Sequence, residues 1–158
     1  MADFDFATAV KKLYEGMRHS SRMTHSSVVL ATTAVLDNQL ESALKAAMQP
    51  QSETLYKRLF VSFGPLGSFA NKIIVARALG VITDDIYGEL EKIRDIRNVF
   101  AHSSKILNFE SEEIAPKFGV LKKRKTAKTN PSELFADCAV VINDFLVDYL
   151  VHKSVPEK

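Results

Sequence analysis

The chain reads as an all-α, single-domain bundle of about six helices spanning residues 1–158. Three observations predict that class. Apolar residues recur at three- and four-residue spacing through most of the sequence, the period of a helix with one buried face. Strand-like alternation is weak. Ser, Thr, Asn, Gly and Pro fall where the helical period breaks, as caps and stops require.

Each element has its own signal. A helix is expected over about 4–18, with Phe6, Val10, Leu13, Tyr14 and Met17 on one face. A longer one follows over about 26–48, where Val29, Leu36, Leu40, Ala43, Leu44 and Ala47 form the stripe and Gln49-Pro50-Gln51 ends it. Ser52 is placed to cap a third helix to about 61, with Leu55, Leu59 and Phe60 inward. Gly64-Pro65-Leu66-Gly67-Ser68 is a tight connector, Ser68 capping a fourth helix that Gly80 stops. Thr83 caps a fifth, with Asp84 and Asp85 in its first turn, where carboxylates complement the helix dipole. From about 103 to 130 the periodicity disappears and a long loop is expected. Asn130-Pro131-Ser132-Glu133 then opens the last helix, with Val141, Phe145 and Leu146 inward.

At 158 residues the chain can bury a core without disulfide or metal staples. Its only cysteine, Cys138, lies in an apolar run, which suits a reducing cytoplasm. The acidic start Met-Ala-Asp-Phe-Asp is unlike a signal peptide, and no apolar run has the length of a membrane span. A cytoplasmic protein is therefore expected. His19, His25, His102 and His152 are scattered, without the paired spacing of a metal site, and there is no phosphate loop. Neither a metal nor a cofactor is expected.

Net charge is only +2, but its distribution is uneven. Lys117, Lys122, Lys123, Arg124, Lys125 and Lys128 form a cationic arm without an acid among them, on a body in which acids outnumber bases. Weak nucleic-acid contact is expected there, centred on Lys122, Lys123, Arg124 and Lys125. A helix-turn-helix over 76–90 is disfavoured, because its reading helix would turn Asp84, Asp85 and Glu89 towards phosphates.

The segment Arg97-Asn98-Val99-Phe100-Ala101-His102 carries the remaining chemistry. Ile86, Leu90, Ile93 and Phe100 set an apolar stripe, and Arg97 falls near its centre. A guanidinium there needs a partner, and Asp37 or Glu41 is the expected one. His102 either closes the helix C-terminus or works with Arg97 as a metal-independent acid–base pair on RNA. Five residues of helix separate those two side chains by about 140°. A two-fold dimer near the end of this helix would bring such groups together, so self-association is expected.

Taken in order, Leu36-Asp37-Asn38-Gln39-Leu40-Glu41, Gly64-Pro65-Leu66-Gly67-Ser68-Phe69 with Lys72-Ile73, Ala78-Leu79-Gly80-Val81-Ile82 and 93–102 resemble the mannitol operon repressor family of bacterial regulators. The resemblance covers about 21–103, and implies an all-helical transcriptional repressor without a recognisable DNA-reading motif; action through protein contacts or weak nucleic-acid binding, rather than a groove-reading helix, is expected. Asp37, Glu41, Gly64, Pro65, Gly67, Arg97, Asn98 and His102 are the motif residues it picks out. The Arg-Asn-x-x-x-His string also looks like the signature of HEPN domains, many of them dimeric endoribonucleases of toxin or defence systems. Under that alternative Arg97, Asn98 and His102 would be catalytic.

Overall fold

Helix caps decide where the elements begin. A computed structural model describes residues 8, 10–13, 25–104, 107–118 and 131–154, and the regular structure among them is helical. The helices are α1 (His25–Ala47), α2 (Glu53–Phe60), α3 (Phe69–Ala78), α4 (Asp84–His102), the single turn α5 (Ala115–Phe118) and α6 (Pro131–Ser154). The Ser52 hydroxyl accepts from the Leu55 amide at the start of α2, and Ser68 from the Asn71 amide at the start of α3. Thr83 does the same for the Ile86 amide in α4, at 3.3 Å. Behind α3, Gly80 adopts φ 69°. The Gly80 amide donates to Arg77 O and the Val81 amide to Ala76 O, the paired bonds of a left-handed helix stop. Of the helix expected over 4–18, residues 8 and 10–13 are described and helical, and Val10 is buried. Asn130 and the cations from Lys122 to Lys128 lie outside the described residues.

The chain divides into two compact units. One takes 1–34 and 92–141, hence the first part of α1, the second part of α4, α5 and the first part of α6. It buries Val29, Ile93, Ile96, Ile114 and Ala139 completely. Phe109 is its hub: the ring stacks on His25 at 4.5 Å, meets Phe100 edge-on at 5.8 Å and lies 6.1 Å from Phe135. Leu107, Phe109 and Ile114 are all buried, so the first part of the segment expected to be irregular is an anchored piece of core. Their spacing fits neither helix nor strand, which is why no period betrays them.

The other unit takes 35–91 and 142–158. Leu36, Leu40, Ala43, Leu44, Ile73, Ala76, Leu90, Ile142 and Leu146 are sealed from solvent there. The stripe expected on α1 is thus met at every position but Ala47, which is half-buried. On α6 the expectation needs correcting: Val141 and Phe145 are half-buried, and Ile142 takes the inner place beside Leu146. Helix α2 differs most. None of its residues is fully buried, and Leu55 keeps 38% of its surface exposed, because the helix lays its strongly amphipathic face over charged groups rather than into the core.

Candidate functional site

Asp37, Glu41 and Lys45 succeed one another at four-residue spacing on α1, so they share one face of the helix. Lys72 of α3 meets that face, and its side chain is only 4% exposed. Its ammonium lies 2.8 Å from Glu41 Oε2 and 2.9 Å from Asp37 Oδ1. The other Glu41 oxygen, Oε1, accepts from Lys45 Nζ at 2.8 Å. One carboxylate therefore bridges two ammonium groups, and with Asp37 the four charges balance. Phe60 of α2 covers the array, with its ring centre 5.0 Å from Lys45 Nζ and 5.9 Å from Lys72 Nζ. Tyr56, one helical turn earlier, lies 5.7 Å from Lys45 Nζ. Ring faces are electron-rich and attract such cations where water is partly excluded.

The protonation states follow from this arrangement. Burial pushes Lys72 down, but hydrogen bonds to Glu41 and Asp37 and their charges outweigh it and hold the ammonium above its ordinary value. Burial pushes Glu41 up, yet Lys45 and Lys72 bring its carboxyl below the usual range. A lysine held protonated is no nucleophile, and a carboxylate shared by two cations is no general base. The cluster organises a surface. Glu41, Lys45, Glu53, Tyr56, Lys57, Phe60 and Val61 line an open pocket of about 190 Å³ beside it.

The motif turn borders this pocket. The Gly64 amide donates to Val61 O, the Leu66 amide to Leu59 O and the Gly67 amide to Gly64 O. Asn71 Nδ2 closes it by donating to Pro65 O at 2.9 Å. A Cβ on Gly64 would lie 2.3 Å from Arg58 O, and one on Gly67 would lie 2.1 Å from Val61 O. Both positions therefore demand glycine through close backbone approach rather than through φ.

Arg97 is partly buried, as the sequence predicts, but its hydrogen-bond partner is an amide rather than the expected acid. Ile96 is fully buried in the apolar stripe. Positions 96 and 97 both fit the spacing from Ile93 to Phe100, and the apolar residue takes the dry one. Arg97 Nη1 donates to Asn98 Oδ1 at 3.1 Å. The acids expected to pair with it, Asp37 and Glu41, are instead the partners of Lys72. His102 is exposed as the last residue of α4. Among the described residues no group of three or more His, Cys, Asp or Glu side chains could hold a metal ion. Of the cationic arm, Lys117 alone is described, half-buried in α5.

The sequence signal that could have found the cluster is the lysine inside an otherwise apolar stretch, Lys72-Ile73-Ile74-Val75-Ala76. Its partners are 31 and 35 residues away, beyond the reach of local periodicity.

No family model matches this chain, and no curated protein matches it. Among solved structures it is similar to a chain of the X-ray structure of the MtlR–HPr complex from Escherichia coli, with a TM-score of 0.56, 15% sequence identity and coverage of 94% of this chain and 99% of that one. At that identity the likeness is one of fold: an all-helical, MtlR-like architecture. No helix among the described residues is long and apolar enough to cross a membrane.

Proposed function

We propose that the protein is a bacterial regulator of the mannitol-operon-repressor type, acting in the cytoplasm through protein contacts rather than through a DNA-reading helix. The observation that carries this reading is the fold likeness, which runs over nearly the whole of both chains to one found in a complex with HPr.

The electrostatics support it. The first turn of α4, where a groove-reading helix would present cations, carries exposed Asp84 and Asp85. Arg77 of α3 is tied to Asp84, and Lys72 and Lys45 are spent on Glu41 and Asp37. The lysines and arginine of α1 and α3 are thus paired with acids and not free to meet a phosphate backbone. The Arg58 and Lys57 side chains of α2 lie in the open beside Tyr56 and Phe60, a mixture of arginine and aromatic residues characteristic of protein interfaces.

Calorimetric titration of the full chain with purified HPr, alongside a promoter duplex of a mannitol operon, tests the reading. Saturable binding to HPr with weak, salt-sensitive binding to DNA is the expected result. Tight, sequence-specific DNA binding without HPr binding would overturn it.

A further inference from the structure

We propose that the protein self-associates about a two-fold axis through α2 and the turn behind it, the Phe63 ring of each copy entering the Tyr56–Phe60–Val61 pocket of the other. This inference does not depend on the regulatory reading. It stands on a knob and a pocket that lie side by side on one surface.

The knob is Phe63, whose side chain is fully exposed, at 102%. An aromatic ring left wholly in water is unfavourable, and a floppy loop would let it fold back onto the protein. This loop is not free to do so. Amide-to-carbonyl bonds from Gly64, Leu66 and Gly67, the Asn71–Pro65 bond and buried Leu66 fix the backbone on both sides of it. The close approach of Gly64 to Arg58 O and of Gly67 to Val61 O leaves the turn no slack. The ring is therefore presented before any partner arrives, which lowers the entropic cost of docking.

The pocket begins two residues away, because Val61, itself half exposed, is part of its lining. Its open volume of about 190 Å³ gives space of the order of a phenyl ring, with Tyr56, Phe60 and Val61 as its apolar lining and the charged side chains of Glu41, Lys45, Glu53 and Lys57 around them. Tyr56 and Phe60, which Lys45 already approaches at 5.7 and 5.0 Å, supply the aromatic surface for contact with an incoming ring. Charge complements shape. Arg58, whose backbone abuts Gly64 next to the knob, is exposed and has no carboxylate partner among the described residues. Glu53, on the pocket rim, is 78% exposed and holds Lys57 only at 3.6 Å. A two-fold operation that seats each Phe63 in the opposite pocket brings Arg58 of one copy towards Glu53 of the other. Adjacent complementary features on one face are what a closed, isologous pair requires. This surface is distinct from the one near the end of α4 expected from the sequence.

Sedimentation of the full chain from micromolar to millimolar concentration tests the proposal with Phe63→Ser, Tyr56→Ala and an equal mixture of the two. Wild type is expected to show a reversible monomer–dimer equilibrium. Each variant should weaken it by about 100-fold, roughly tenfold for each of the two symmetry-related anchors. The mixture should recover part of the loss, because an intact pocket on one copy then meets an intact knob on the other. A second variant guards against a folding artefact. The chain has no tryptophan, so Phe63→Trp places a single indole at the knob, and its emission should shift to the blue as concentration rises. A monomer at every concentration, a dimer indifferent to Phe63→Ser, no gain on mixing, or an unmoved tryptophan spectrum would each overturn the proposal.

Discussion

Lys72 shows how a single residue can fix the architecture around it. Its ammonium is nearly sealed from water, so its two carboxylates compensate the desolvation and are in turn held in place by it. Lys72→Met should cost about 2–3 kcal/mol, below the roughly 3–5 of a fully buried pair, because both carboxylates keep about a quarter of their surface in solvent. Urea denaturation of the two proteins at pH 7 measures it. The pH dependence has a definite sign. Glu41 titrates below 4.5 in the fold, so its contribution is complete above that value and is lost as pH falls through the depressed one. Lys72 titrates above 10.5, so its contribution is complete below that value and is lost as pH rises through the elevated one. The cluster is therefore at full strength across the neutral range, and Lys72→Met should flatten the acid limb of the stability profile. At Arg97, with an amide rather than a buried carboxylate as partner, replacement by Ala should cost only about 1–2 kcal/mol. His102→Ala, at an exposed helix end, should change stability by less than about 0.5 kcal/mol and leave a regulatory activity intact.

Among the elements, those bounded by local chemistry were legible and those held by distant contacts were not. Ser52, Ser68 and Thr83 act within three residues of themselves, and Gly80 stops its helix through its own φ, so sequence alone places α2, α3 and the start of α4. The anchored part of 103–130 depends on groups far away in the chain. Its docking turns on His25, whose Nδ1 accepts the Phe109 amide at 2.9 Å across 84 residues. Burial lowers the His25 pKa below 6.5, opposed in part by Glu110. Its contribution is complete above 6.5 and is lost as pH falls through the lowered folded value, where protonation removes the acceptor. The protection of the Phe109 amide from hydrogen exchange, taken relative to the intrinsic rate at each pH, should fall over that interval. His25→Leu should abolish the dependence at a cost of about 1 kcal/mol. Glycines provide an independent check on the turn. Gly67→Ala should destabilise by about 1–3 kcal/mol, since its Cβ would strike Val61 O, whereas Gly88→Ala, within α4 and with open space around it, should stabilise by about 0.5–1 kcal/mol. Thermal melts of the pair give the two signs directly.

For the whole molecule, the all-α class followed from periodicity because a 3.6-residue stripe is a local signature that tertiary packing seldom reverses. The site was only half visible. Asp37, Glu41, Gly64, Pro65 and Gly67 stand out in the sequence, but their common purpose, holding Lys72 and the turn beneath Phe60, requires three helices to meet. Arg97 drew attention as a charge in an apolar stripe, and a one-residue ambiguity of register placed Ile96 there instead. The described charges of α1 and α3 are all paired, and the role proposed for the protein is one of contact. The most direct test of that claim is the mannitol-operon transcript level in cells of the source organism lacking this chain, compared with cells in which it is restored. Transcript that rises without the chain, and falls again with either the wild-type or the His102→Ala protein, is the expected result. Transcript indifferent to the chain, or a phenotype that disappears with His102 alone, would contradict it.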